Sequence, residues 1–283
     1  MQGPGGARQI GNHVREGDAM KLFPGCTVSS RLPFVEAAVR YIAERLDIDL
    51  SPSGCNMCCF EPTGLRSVDP EMWRSVGSMV HSMNGGESIV TLCEGCNLSL
   101  SSSERALRTE EGAADASKRL SKVGMEFGIA DVRGLLELLH ENIDGIRRLS
   151  KSPADGTGAV FPGCHGEYAY KGRGGDAAGM MSEVLDAAGC KNVVIKKPMC
   201  CGGGLQGVED GIAAGILQDT VGEFRDAGAD FAVVSCVFCF RRLDISARYP
   251  VMHISEVVAR SMGWEADVSR YHRTELQSRS IEN

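Results

Sequence analysis

The sequence has no long apolar run and no excess of positive charge. Its longest apolar stretches, such as 231–234, have the length of a strand, whereas a helix that crosses a bilayer needs roughly 20 apolar residues. We therefore expect no membrane span. Lys and Arg total 30 against 37 Asp and Glu, a net charge of -7, and this acidic balance argues against nucleic acid or an anionic membrane as the main partner.

Two common redox motifs are also missing from the 283 residues. The chain contains no ferredoxin-type run of C-x-x-C-x-x-C-x-x-x-C-P, and no early strand precedes a dinucleotide-binding glycine fingerprint. The first nineteen residues lack the apolar core of a secretory signal, and we expect 1–19 to form a flexible tail on a cytoplasmic protein. Without an export signal, the twelve cysteines indicate a metal or redox role rather than a disulfide scaffold.

Ten of the twelve cysteines fall into two series with the same order: a lone cysteine, an adjacent pair and a C-x-x-C motif. The first series is Cys26, Cys58, Cys59, Cys93 and Cys96, and the second is Cys164, Cys200, Cys201, Cys236 and Cys239. Phe-Pro-Gly-Cys begins both series, and both pairs read Met-Cys-Cys. We infer an internal duplication, with a first domain at 20–148, a linker at 149–158 and a second domain at 159–283.

Strand and helix patterns alternate in both halves. Strands are predicted at 21–23, 48–50 and 88–92, and again at 159–161, 193–195 and 231–235, with helices at 33–46 and 177–188. The alternation predicts an α/β fold of two pseudo-symmetric duplicated domains, each with a small parallel sheet flanked by helices. We expect successive strands to lie side by side, and the five cysteines of each half to gather at the carboxyl ends of its strands. The stretch 108–130 has no counterpart in the second half and is predicted to form a helical hairpin or a surface excursion.

Five thiols per half favour an iron-sulfur cluster over zinc. A structural zinc ion takes four ligands, and the side chains of adjacent cysteines point apart on an extended backbone. A larger cluster can be bound at two separate metal atoms. A structural zinc protein stays open as an alternative.

The doubled pattern resembles the CCG cysteine-rich domain family, and within it the cysteine-rich subunits of heterodisulfide reductases. The second copy carries the resemblance best, through Cys200-Cys201-Gly202, whereas the first has Phe60 after its pair and Gly134 where the second has His253. The resemblance implies that each five-cysteine set binds a noncubane four-iron, four-sulfur cluster. It further implies that the two clusters face one small-molecule disulfide, each giving one electron and binding one sulfur. The expected substrate is the mixed disulfide of coenzyme M and coenzyme B.

The missing motifs imply that the chain receives electrons from other subunits. From the resemblance to heterodisulfide reductases we expect a ferredoxin-like subunit with cubane clusters, and through it a flavin subunit. A second interpretation stays open, in which the chain is an electron-transfer or docking subunit, because CCG domains also occur in glycolate, lactate and succinate oxidoreductases.

Three basic residues are candidates for a catalytic role beside the second set. His253 lies in a segment that repeats in both halves, and Arg241 and Arg242 closely follow Cys239, where they would hold an anionic substrate. A structural histidine and solvated arginines are the ordinary alternatives. Outside the repeated pattern stand Cys55 and Cys190, which we expect to be buried free cysteines.

Overall fold

The structure is a computed structural model that describes residues 20–60, 64–85, 87–152, 154–195 and 200–274. The predicted tail at 1–19 lies outside the described residues, as does Met199 of the second Met-Cys-Cys motif. The strands are β1 (Met20–Phe23), β2 (Leu50–Pro52), β3 (Ser88–Thr91), β4 (Asp131–Gly134), β5 (Thr157–Phe161), β6 (Lys191–Val194), β7 (Phe231–Val234) and β8 (Val251–His253).

The strands form two four-stranded parallel sheets, ordered β2-β1-β3-β4 and β6-β5-β7-β8. The predicted fold of two similar α/β halves is confirmed. The expectation that successive strands are neighbours is wrong for the second and third strands of each half, because the first strand lies between them. The chain reverses its direction of winding there, which lets helices cover both faces of a parallel sheet.

The helices include the two segments predicted from the sequence, at 33–46 and 177–188. They are α1 (Gly25–Arg31), α2 (Pro33–Arg45), α3 (Leu65–Val68), α4 (Pro70–Met83), α5 (Glu94–Leu107), α6 (Glu110–Ser121), α7 (Leu135–Glu141), α8 (Ile143–Leu149), α9 (Gly163–Lys171), α10 (Ala177–Ala187), α11 (Asp210–Asp226), α12 (Val237–Arg241) and α13 (Ile254–Ser261). The stretch 108–130 contains one helix, α6, rather than a hairpin, and the Thr109 side chain caps it. Among the described helices, none is long and apolar enough to cross a membrane.

Helix α2 shows why the two halves stay together. Its buried residues recur at helical spacing, among them Phe34, Ala38 and Ile42, and Pro33 opens the helix where a missing N–H costs nothing. The helix packs on α13 of the second half, and the Phe34 ring lies 5.6 Å from the Phe240 ring. Helices α5 and α9 form a second contact between the halves.

The connection between the halves is attached to α13. The backbone N–H groups of Lys151 and Ser152 both donate to the carbonyl oxygen of Ser261, at 2.7 and 3.1 Å. The predicted linker at 149–158 takes in Leu149, the last residue of α8, and the first two residues of β5, and its middle part is held in place by α13. The domain boundaries at 148 and 159 stay a prediction.

Candidate metal centre

Six of the ten repeated cysteines lie where a central strand ends and a helix begins. In the first half, Cys26 is in the first turn of α1 after β1, whereas Cys93 and Cys96 lie at the start of α5 after β3. The counterparts in the second half are Cys164, Cys236 and Cys239. Because β1 adjoins β3 at the reversal of winding, these thiols lie at the switch point where open α/β sheets bind their ligands.

The two Pro-Gly-Cys turns need glycine for two reasons. Gly25 and Gly163 have φ values of +75° and +71°, in the left-handed region that other residues adopt only at a cost. A Cβ on Gly25 would lie 2.9 Å from the Cys96 sulfur, and one on Gly163 would lie 2.8 Å from the Cys239 sulfur. Each turn therefore packs its backbone directly against a thiol of the C-x-x-C motif.

The loops with the adjacent cysteines share one conformation despite their different sequences. Phe60 and Gly202 follow the pairs, and both have positive φ, +48° and +70°. Their backbone N–H groups donate to the first sulfur of the pair: Phe60 to Cys58 at 3.4 Å, and Gly202 to Cys200 at 3.3 Å. The missing family glycine at position 60 therefore does not change the loop, although phenylalanine adopts this backbone with strain.

Within each half the thiols interact with one another. The Cys200 sulfur lies 3.9 Å from the Cys164 sulfur, and hydrogen bonding to Cys164 and Cys201 lowers the pKa of Cys200 to about 2. In the first half, hydrogen bonds to Cys59 and Cys93, together with burial, raise the pKa of Cys96 well above its ordinary value. Thiols of one set therefore lie close enough to influence one another, and they must lose their protons before a metal binds.

The two sets meet between the halves. Hydrogen bonding with Cys236 is the largest cause that lowers the pKa of Cys93, and Cys93 and Cys236 are 5% and 1% exposed. His165 lies at the same place, because a Cβ on Gly95 would be 3.3 Å from its Nδ1 atom. The motifs 93–96 and 236–239 thus face each other across the contact between the halves.

The structure places the three predicted basic residues in different surroundings. Arg241 is exposed. Arg242 is buried, and it donates to the carbonyl oxygens of Cys201 and Ala213, both at 3.2 Å. His253 is fully buried, its Nδ1 lies 2.8 Å from the Ser255 hydroxyl, and burial lowers its pKa to about 4. A catalytic role for each of the three stays a prediction.

Sequence reasoning missed a buried polar network beside the first set. Glu94, between the cysteines of the first C-x-x-C motif, accepts hydrogen bonds from Asn97 at 2.9 Å and from Tyr170 at 3.3 Å. Burial raises the pKa of Glu94 to about 7. A Cβ on Gly134 would lie 2.0 Å from the Tyr170 oxygen. The network therefore occupies the space that a side chain at position 134 would need, and only glycine fits there. A charged residue inside a C-x-x-C motif was the signal that would have found it.

The two cysteines outside the repeated pattern are buried. The Asn84 amide donates to the Cys55 sulfur at 3.5 Å, and the Cys190 thiol donates to the Lys191 carbonyl oxygen at 3.5 Å. Burial is the largest cause that raises the pKa of both thiols, in Cys190 to about 11. Each is satisfied by a local hydrogen bond, as expected of a buried free cysteine.

The donor set fits an iron-sulfur group. The ten cysteines of the two sets are all unpaired by disulfides, and soft thiolates are the ligands that such clusters take. Within the described ranges, no three His, Cys, Asp or Glu side chains converge closely enough to hold a single metal ion.

Comparisons with known proteins agree with the cysteine pattern. The ferredoxin/F(420)H(2)-dependent CoB-CoM heterodisulfide reductase of Methanosarcina acetivorans has a subunit, designated B, that is 29% identical over 92% of this chain and 94% of the relative. The subunit of the same designation in the ferredoxin:CoB-CoM heterodisulfide reductase of Methanosarcina mazei is also 29% identical, over 88% and 90%. The resemblance to this group of proteins is confirmed.

Two further similarities extend beyond these reductases. The subunit designated B in a fumarate reductase (CoM/CoB) of Methanothermobacter marburgensis is 23% identical over 79% of this chain and 41% of that protein. A hypothetical protein from Helicobacter pylori shares the fold, with a TM-score of 0.67 and 14% identity over 89% of this chain, which spans 50% of that structure. The cysteine-rich domain model matches residues 20–101 and 158–244, more than half of the sequence, and the chain therefore belongs to the CCG cysteine-rich domain family.

Proposed function

We propose that this chain is the catalytic iron-sulfur subunit of an enzyme that reduces a disulfide, with the mixed disulfide of coenzyme M and coenzyme B as its substrate. The observation that carries the proposal is the position of the two C-x-x-C motifs at the contact between the halves, where α5 packs on α9, His165 lies against Gly95, and Cys93 and Cys236 are both buried. The two Methanosarcina relatives, named as subunits of CoB-CoM heterodisulfide reductases, are similar over about nine-tenths of this chain. A single disulfide has two sulfurs, and two adjacent binding sets suit it.

We infer that each set holds one noncubane four-iron, four-sulfur cluster. The first would be bound by Cys26, Cys58, Cys59, Cys93 and Cys96, and the second by Cys164, Cys200, Cys201, Cys236 and Cys239. When bound, the two clusters supply the two electrons and an iron position for each sulfur of the substrate.

The thiols of the two sets differ in their exposure to solvent. Cys93 and Cys236 are buried where the halves meet, whereas Cys26 and Cys58 are exposed. The buried side excludes water and fixes the spacing of the two sets, and the exposed side is open to a small molecule. Reduction of a disulfide consumes two electrons and two protons, and solvent at the exposed side supplies the protons.

The backbone contributes rigid positions for the sulfurs. The glycine turns at 25 and 163 pack against thiols, and the N–H groups of Phe60 and Gly202 donate to the first sulfur of each pair. Hydrogen bonds to cluster sulfurs raise reduction potentials. The fixed turns keep each sulfur in place while the electron count changes.

We propose that electrons arrive from a ferredoxin-like subunit with cubane clusters, which receives them from a flavin subunit. The sequence contains no cubane-cluster motif of its own. Ferredoxin appears in the names of both Methanosarcina enzymes, which supports an iron-sulfur donor. The complex is proposed to work in the cytoplasm.

The proposal is tested by anaerobic metal analysis and electron paramagnetic resonance (EPR) spectroscopy on the full chain. We expect about eight irons and about eight sulfides per chain, since each of two clusters brings four of each. Addition of the heterodisulfide to the reduced protein should produce a new paramagnetic signal. Cys26→Ser should weaken that signal, while Cys55→Ser, a change of the same kind outside the sets, should not. Stoichiometric zinc without sulfide would instead establish the structural zinc alternative.

A second candidate function is an electron-transfer or docking subunit of another redox complex. The fumarate reductase relative favours it, because the similar region is only part of that longer protein. Under this alternative, the chain would hold both clusters and pass on electrons, but the heterodisulfide would leave its EPR spectrum unchanged.

A further inference from the structure

A matched pair of residues connects each C-x-x-C motif to the loop with the adjacent cysteines. Ser99 and Arg242 both stand three residues after the last cysteine of their motif. The Ser99 hydroxyl donates to the Cys59 carbonyl oxygen at 2.8 Å, and the Arg242 Nε donates to the Cys201 carbonyl oxygen at 3.2 Å. The contact is thus the same in both halves, but the side chain that makes it is neutral in one and cationic in the other.

The Arg242 guanidinium is buried and shares its charge with no carboxylate among the described residues. It is 8% exposed, and its remaining donors bind the Ala213 carbonyl and the Ser246 hydroxyl, at 3.2 and 3.0 Å. Asp244, two residues further on, accepts instead from the backbone N–H groups of Arg273 and Thr274. The positive charge therefore acts on its surroundings in a region of low dielectric.

The corresponding position in the first set carries no cation. Ser99 is 1% exposed and accepts a hydrogen bond from the Trp73 indole at 3.0 Å. The Arg173 side chain, which comes from the second half, donates a hydrogen bond to Asn97 in the first half. Glu137 forms an ion pair with Arg173 at 3.0 Å and balances its charge. The duplicated sites therefore have the same backbone and different electrostatics.

We propose that Arg242 is a positioning residue that makes the second set easier to reduce than the first. The inference rests on the proposed function, since it requires an iron-sulfur group at both sets. Reduction adds one electron and its negative charge, which a buried cation held against the Cys201 carbonyl stabilises. Charge and hydrogen bonds near a cluster are recognised determinants of its potential.

The test is an anaerobic redox titration of the purified full chain with dithionite as the one-electron reductant, followed by EPR. The variants are Arg242→Gln, which removes the charge and keeps a donor, Arg242→Lys, which keeps the charge, and Ser99→Ala, the matched change in the first half. We expect Arg242→Gln to lower the reduction equilibrium constant of the centre with the higher potential by about tenfold, about 59 mV for one electron. Arg242→Lys should retain most of the wild-type potential, and Ser99→Ala should affect only the other centre.

Iron content separates the possible failures. Equal potentials in the fully loaded wild type, or equal shifts in Arg242→Gln and Arg242→Lys, would overturn this inference alone. A wild-type chain without iron and sulfide would overturn the proposed function and this inference with it. If Arg242→Gln binds only half the iron, the inference still requires that the missing centre be the one with the higher potential.

Discussion

Replacement of Gly163 by alanine should remove the iron bound at the second set. Gly163 has a φ of +71°, and a Cβ there would lie 2.8 Å from the Cys239 sulfur. Gly174 is a matched control in the same half, since its φ is +80° and no atom lies within 4 Å of its Cβ position. Both alanine variants have the backbone strain, but only in Gly163→Ala does the new methyl group overlap the Cys239 sulfur.

The size of the effect follows from two contributions. A left-handed backbone costs an ordinary residue about 1–2 kcal/mol, and both variants lose this amount of stability. Atoms in contact normally lie about 3.5–4.0 Å apart, so the new methyl group would overlap the Cys239 sulfur by roughly 1 Å. A free thiol can rotate away from such a contact. A metal-bound sulfur cannot, because ligand distances are fixed to within about 0.2 Å.

The assay is iron content together with the melting temperature of the anaerobic protein. We expect Gly174→Ala to keep all its iron and to melt a few degrees lower, at about 2–4 °C per kcal/mol. Gly163→Ala should fall from about eight irons to about four, the content of one cluster. Gly25 and Gly124 offer the same comparison in the first half, with φ values of +75° and +71°. Full iron content in Gly163→Ala would refute the reasoning that Cys239 is a ligand packed on this turn.

Three further changes have expected outcomes. In denaturant titrations, Gly202→Ala should lower the free energy of unfolding by about 1–3 kcal/mol more than Gly207→Ala does. A Cβ on Gly202 would lie 2.4 Å from a carbonyl oxygen of α11, whereas no atom lies within 4 Å of a Cβ on Gly207. His253 has a pKa of about 4 in the folded chain, below the ordinary 6.5, so between these pH values the unfolded chain binds more protons than the folded chain. The free energy of unfolding should therefore fall by up to about 3 kcal/mol as the pH drops from 6.5 to 4. His253→Gln should flatten this dependence of stability on pH. Cys55→Ala and Cys190→Ala should keep the wild-type iron content by metal analysis.

Contrary results for these changes are equally specific. Equal costs for the two glycine variants would mean that the loop does not pack on α11. An unchanged pH profile in His253→Gln would assign the acid sensitivity to other groups. Loss of iron from Cys55→Ala or Cys190→Ala, in a variant that still folds, would place that cysteine among the ligands.

The sequence predicted the strands that end at the Pro-Gly-Cys turns and at the C-x-x-C motifs to within two residues. Proline, glycine and cysteine stop these strands at a fixed point, and the repeat supplies two copies of each. Strands β4 and β8 were not predicted, although their segments were recognised as a repeat. Each is an edge strand of three or four residues that ends at Gly134 or His253, so no cysteine motif marks where it stops. The predicted strand order was wrong because the length of the connection between two parallel strands does not determine on which side of β1 the third strand pairs.

The local geometry of the site was less predictable. Phe60 differs from glycine in sequence but adopts the same left-handed backbone as Gly202. Ser99 and Arg242 have unrelated side chains but donate to equivalent carbonyl oxygens. The two halves therefore share no residue type at this position that a sequence comparison could detect. Position in the fold, rather than residue type, is what the duplication preserved at these places.

The packing of α13 on α2 has a consequence for how the two halves are coupled. Helix α13 belongs to the second half, yet it packs on α2 of the first half, and the Ser261 carbonyl oxygen at its end accepts hydrogen bonds from the connection at 151 and 152. A substitution that detaches α13 therefore weakens the anchoring of both the first half and the connection. Damage to this one short helix is transmitted to both lobes.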